Sequence, residues 1–171
     1  MTYYKTSQLL LLFLCAIVSS CSRYAVSVND QTVYSPSSLF KNYTITDPDL
    51  KECVRRTIAD QHLTTAEQLT RLFCPEGNIR SLSGIKTFTK IRQLGFQGNQ
   101  IRTIDLLADL RSLEQLNLSH NQIIDFSPLK NLNQLAYLDT QGNADAICSS
   151  LPTSSKILQL ATPIHCTRSL H

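Results

Sequence analysis

The chain contains no G-x-S-x-G, no H-E-x-x-H and no glycine-rich phosphate loop. Nucleophile-elbow hydrolases, zinc proteases and nucleotide-binding enzymes therefore have no foothold in it. It also contains no C-x-x-C, and His165-Cys166 is an isolated pair, too few ligands for a structural metal site. No cofactor is expected. Charge is nearly balanced, with a formal net charge of +3 and no basic stripe, which excludes the usual footprint of a nucleic-acid binder. After the first twenty residues, no apolar run approaches the roughly 20 residues needed to cross a bilayer.

The first residues are the exception to this polarity. Met1-Thr-Tyr-Tyr-Lys5 carries one positive charge, Leu9 to Val18 is apolar, and Ser19-Ser20 precede Cys21. That order of basic, apolar and small residues describes a secretory signal, residues 1–20, too short to be a membrane span. Val18-Ser19-Ser20-Cys21 resembles the bacterial lipobox. The resemblance implies a diacylated Cys21 that becomes the new N-terminus and is acylated again, which gives stable membrane anchoring. Ser22, in place of aspartate, implies sorting to the outer membrane in a bacterium with two membranes. Residues 21–46, serine-rich and without sustained periodicity, read as a lipidated tether, with Tyr24, Tyr34 and Phe40 free to pack on the domain or a partner. Four further cysteines, Cys53, Cys74, Cys148 and Cys166, read as two disulfides in an exported protein, with three pairings open.

The middle of the chain repeats. Ile91, Leu113 and Leu135 stand 22 residues apart, as do Asn99, Asn121 and Asn143. Between these marks every apolar slot matches: Leu94 with Leu116, Phe96 with Leu118, Ile101 with Ile123, Ile104 with Phe126, Leu107 with Leu129, Leu110 with Leu132. One step earlier the slots are Leu69, Leu72, Cys74 and Ile79, with Gly77 where asparagine should stand. One step later the pattern reaches Leu138, Thr140 and Asn143, then decays towards Cys148. This is the pattern L-x-x-L-x-L-x-x-N-x-L of leucine-rich repeats. The physical reason for its asparagine is that a buried amide bonds backbone groups in the turn, and stacked copies form a ladder. Leaving such groups unsatisfied costs about 1–3 kcal/mol each.

The spacing, together with Ile123-Ile-Asp-Phe126-Ser-Pro128-Leu129, resembles the internalin type of bacterial repeat protein over roughly residues 47–148. The resemblance implies an α/β fold: a short leucine-rich repeat solenoid of about four coils over 69–148. A solenoid exposes its core at both ends, so caps are needed. Asp47-Pro48 starts a helix with Leu50, Cys53, Val54 and Ile58 on one face. Residues 47–68 resemble the helical N-terminal cap of internalins, with a second turn starting at Thr64 or Thr65. Such a cap lies on the first coil, which favours Cys53 with Cys74. Residues 149–171 form the C-terminal cap and tail, closed by Cys148 with Cys166; the other two pairings stay open.

In internalin-type repeats the strands line a concave face, and residues between the buried slots point out of it. Carried over, this assigns Arg71, Phe73, Gln93, Gln97, Gln115, Asn117, Ser119, His120, Tyr137, Asp139 and Gln141 to a binding surface. It is polar, largely uncharged, and aromatic near both ends, a composition suited to protein recognition. Ser119, His120 and Asp139 lie near one another in sequence or on neighbouring strands, yet adjacent residues of a strand point to opposite sides, so a catalytic triad is not expected. The implied role is a lipid-anchored protein-interaction module of the bacterial envelope, with a protein partner, a membrane through the N-terminal lipid, and no nucleic acid. The alternative is an accessory lipoprotein that docks into an envelope complex through its caps or tether.

Overall fold

The computed structural model describes residues 26–28, 31–34 and 38–167. The signal segment and Cys21 lie outside the described residues, and so do Tyr24 and residues 168–171. The chain divides into two units, 1–38 and 39–171.

In the first unit β1 (Val26–Val28) and β2 (Gln31–Tyr34) pair antiparallel, Val28 opposite Gln31 and Ser27 opposite Thr32. β-branched residues in both strands, joined across Asn29-Asp30, favour this hairpin inside the segment read as a plain tether.

The second unit begins before the helical cap. Phe40 N–H donates to Leu63 O at 2.9 Å. The rings of Phe40 and Tyr43 lie 6.2 and 5.7 Å from that of the buried Phe88. Residues 39–46, placed in the tether by composition, therefore form a strap across the solenoid. α1 (Pro48–Asp60) follows, with proline in its first turn and Leu50, Val54 and Ile58 buried on one face. Asp47 caps it, accepting from Asp49 N at 3.1 Å and Leu50 N at 3.0 Å through Oδ1. Its other oxygen accepts from Arg80 N at 2.9 Å and Ser81 N at 3.1 Å. One carboxylate thus ties the cap to the loop behind the first coil.

Burial alone would raise the Asp47 pKa, but four backbone N–H donors outweigh it and hold the carboxyl below its ordinary value. Because the folded value is the lower one, the stability from Asp47 is present above the unfolded carboxylate range and is lost as pH falls through the folded value. Thermal unfolding of the parent is expected to weaken below about pH 4. Asp47→Asn should be less stable at neutral pH and flatter across that range, since its amide N–H₂ would face two N–H donors. An unchanged pH dependence in the variant would remove Asp47 from this role.

A second short turn, Ala66–Gln68, follows the helix, with Gln68 Oε1 accepting from Thr64 N and Thr65 N at 2.7 and 3.1 Å. Then come five parallel strands in sequence order: β3 (Arg71–Phe73), β4 (Gln93–Gly95), β5 (Gln115–Asn117), β6 (Tyr137–Asp139) and β7 (Gln159–Ala161). Leu72, Leu94, Leu116, Leu138 and Leu160 are in register, so each step is 22 residues. The first four strands are those expected. The fifth extends the solenoid of about four coils by one strand, because the 22-residue step continues past Cys148 into the segment read as a non-repetitive tail.

Each coil returns through tight 3-10 turns, Ile85–Thr87, Asp105–Asp109, Ser127–Asn131 and Cys148–Ser150. Pro128 stands in the third of these, where no strand bond is lost. Between strands and turns lies one apolar column, with Phe88, Phe96 and Phe126 among its fully buried side chains.

The asparagine ladder is regular. Oδ1 of Asn99, Asn121 and Asn143 accepts from Ile79, Ile101 and Ile123 N, at 3.0, 3.0 and 2.9 Å. Nδ2 of each donates to the carbonyl 25 residues earlier, Cys74, Phe96 or Leu118, and to the one three residues earlier. The same amide thus binds its own turn to the coil below. Cys53 is bonded to Cys74, joining α1 to β3, and Cys148 to Cys166, joining the last 3-10 turn to the short helix α2 (Ile164–Thr167).

Candidate functional site

Strand parity decides which side chains leave the core. The middle residue of β3 to β6 is buried, and its two neighbours face the other way. Register then stacks the neighbours into rows. One row is Arg71, Gln93, Gln115, Tyr137 and Gln159; the next is Phe73, Gly95, Asn117, Asp139 and Ala161. At about 4.8 Å between strands the face is roughly 19 Å across. Arg71, Gln115, His120 and Gln141 are exposed, while Gln93, Gln97, Asn117, Tyr137 and Asp139 are half-buried.

Phe73 is 55 % exposed and lies against Gly95: a Cβ on that glycine would stand 2.7 Å from Phe73 Cδ1. The ring therefore rests on the next strand as a raised anchor, and any larger residue at 95 would lift it. A similar contact occurs between the third and fourth coils, three residues further along, where a Cβ on Gly142 would stand 2.5 Å from His120 Nδ1. Beside Gly95, Gln97 Oε1 is buried and has no hydrogen-bond partner among the described residues.

Ser119 departs from the expectation. It is 5 % exposed, and its hydroxyl donates to Asn117 Oδ1 at 2.7 Å. The reason is that β5 ends at Asn117 and the chain turns, so parity no longer directs residue 119 outward. Ser119 supports the surface from beneath. Asp139 Oδ1 accepts from Gln141 N at 3.0 Å, and Ser119, His120 and Asp139 make no hydrogen bond with one another among the described residues. The three do not form a triad.

Two residues missed in the sequence complete the surface. Gln159 ends the first row, and Leu158, 82 % exposed, joins Glu114, Gln115, Tyr137 and Gln159 around an open groove of about 730 Å³ on the flank. A smaller groove of about 430 Å³ runs between α1 and the first coil, with Phe73, Glu52 and Arg56 on its margin. There Glu52 receives bonds from Arg55 and Arg56 at 2.7 and 2.8 Å. Those side-chain bonds hold its carboxyl down at about 2, so it stays ionised and internally paired.

Cys148, His165 and Cys166 bring three possible metal-ligand atoms within 4.8 Å of one another. Both sulfurs are committed to the disulfide, and His165 Nε2 lies 2.9 Å from Ala146 O, so the group serves the cap. Among the described residues no helix is long and apolar enough to cross a membrane.

Comparison with known proteins agrees with this architecture. A family model described as leucine-rich repeats in two copies matches residues 89–131. An internalin (inlF) from Listeria monocytogenes is similar at 31 % identity with a TM-score of 0.52, over 56 % of this chain and 30 % of that one. The chain thus spans less than a third of that internalin's length. Internalin C2 from the same species aligns at 18 % identity and a TM-score of 0.36, over 68 % of this chain and 74 % of that one. No curated protein sequence matches. The fold is a leucine-rich repeat solenoid, similar over part of its length to that of the internalin.

Proposed function

We propose that the chain is a protein-interaction module of the bacterial envelope, anchored by lipid on Cys21 and binding a protein partner through its strand face. The observation that carries the reading is the face itself: a row from Arg71 to Gln159 made mostly of amides, with Tyr137 within it and the raised ring of Phe73 beside it. Amides offer both donors and acceptors, the few charges leave little to desolvate, and aromatic anchors supply binding energy. The lipobox resemblance supports the anchor and its outer-membrane address.

The test is a crosslinking pull-down from intact cells with the parent and a Phe73→Ala/Gln115→Ala/Tyr137→Ala chain. All three positions are at least partly open, so the variant is expected to keep its fold by circular dichroism. Each hot-spot truncation costs about 2 kcal/mol or more, which predicts recovery of the partner falling by more than tenfold. A partner that stays bound would shift the reading to the alternative, docking through the caps or tether. Fatty-acid labelling that persists in Cys21→Ala would remove the anchor without touching the strand face.

A further inference from the structure

The last strand differs from the four before it. The slot that holds Leu72, Leu94, Leu116 and Leu138 at 1 % exposure or less holds Leu160 at 39 %. Leu158 and Ile164 nearby are each 82 % exposed. The apolar column is therefore open along β7.

The backbone of β7 is open as well. Gln159 N donates to Ala136 O, and Ala161 O accepts from Thr140 N, so residues 159 and 161 direct their polar groups to β6. In a parallel ladder the residue between them turns its N–H and C=O the other way. Leu160 thus presents one donor and one acceptor at an edge that no described strand covers. Such edges are usually blunted by lysines, inward charges or proline within the strand. From Ile157 to His165 there is no Lys, Arg, Asp or Glu, and Pro163 lies beyond the strand.

We propose that β7 pairs antiparallel with β7 of a second copy of this chain, about a two-fold axis through Leu160. Each Leu160 N–H then donates to the Leu160 carbonyl of the other copy, which satisfies both exposed groups at once. Directly opposed residues of an antiparallel pair place their side chains on the same face. Leu160 shares its face with the buried Leu138, so the two leucines cover each other's open core. A two-fold contact is self-complementary and closed, whereas head-to-tail addition would expose a new edge each time. An uncharged edge brings no like charges together in such a pair, and a charged partner would find no counter-charge there. With three exposed apolar side chains per copy, the contact is smaller than a standard interface of about 800 Å² per partner. The dimer is accordingly weak and concentration-dependent.

The test uses the full chain in detergent, carrying Leu160→Cys and treated with a short bifunctional maleimide. A dimer band above that of the parent is expected, and Lys130→Cys, on the return path, should give none. Adding Leu158→Lys to the Leu160→Cys chain is expected to abolish the band; position 158 is too exposed for the change to threaten folding. Sedimentation reads the same contact without an added cysteine: the parent mass should rise with concentration, and the Leu158→Lys mass should not. A parent mass that stays monomeric, an equal band from Lys130→Cys, or crosslinking of Leu160→Cys to a species of another mass would each overturn the proposal.

Discussion

Replacing Gly84 with alanine is expected to unfold the strap and take about 4 kcal/mol of stability with it. Gly84 has φ +93°, a left-handed conformation that a side chain resists. Steric conflict adds to this: a Cβ there would stand 2.0 Å from Thr44 O, a backbone atom that cannot swing aside like a side chain. The chain must therefore lift residues 39–45 or distort the turn at Ile85. Lifting them parts Phe40 and Tyr43 from Phe88 and opens the column to water. A domain of this size loses roughly 3–5 °C per kcal/mol, so the Tm should fall by roughly 12–20 °C. Cleavage by a protease near Tyr43 should rise in parallel. A fall of only a few degrees would mean that the strap is not held as described.

The second large effect is expected at Asn121, the central rung. Asn121→Ala removes one acceptor, to Ile101 N, and the donors to the carbonyls of Phe96, Leu118 and Ser119 at 2.9 to 3.1 Å. The residue is 6 % exposed, so water does not readily replace them. Two coils lose their connection at once, and about 3–5 kcal/mol is expected from the unsatisfied groups together. Asn121→Asp separates donor from acceptor roles, because it keeps the oxygen for Ile101 N but turns a second oxygen onto carbonyls. The introduced carboxylate is held neutral by that environment, so its folded pKa lies above its unfolded one. Its penalty is small below the unfolded value and grows as pH rises towards the folded one. Denaturant unfolding from pH 4 to 8 should show Asn121→Asp falling below Asn121→Ala at the upper end. Equal stability of the two at pH 8 would mean that a carboxylate oxygen turned onto these carbonyls costs no more than an absent side chain.

The same rung explains why so much of the fold could be read from the chain. Each coil repeats one set of buried slots at fixed positions, and a shared register of 22 residues brings equivalent slots together. Periodicity therefore carried the strands, the ladder and the direction of Arg71, Gln93 and Gln115. It failed where a coil keeps its geometry but changes its chemistry. Stepping on from Leu135, Leu138, Thr140 and Asn143 gives Ile157, Leu160, Thr162 and His165, so the asparagine mark is gone although β7 remains in register. Ser119 was beyond parity because the strand had ended before it. The strap was illegible for another reason: Phe40 and Tyr43 belong to no period, and their partner Phe88 is 48 and 45 residues away. The contact between Phe73 and Gly95 was legible in principle, since a bulky residue stands one period before a glycine. The same relation recurs in the column three residues on, with Glu76 before Gly98 and His120 before Gly142.

The uniform step between coils has a consequence for how such a chain can change its length. Excising residues 100–121 would join Asn99 to Gln122, which occupies the same place in its coil as Gln100. Every later leucine would stay in phase, and the sheet would shorten by one strand while both end staples survived. Loss of a number of residues that is not a multiple of 22 would put the leucines and amides beyond the cut out of phase with those before it. Gain or loss of a whole coil thus keeps the ladder intact, and each such step changes the breadth of the exposed face by one strand.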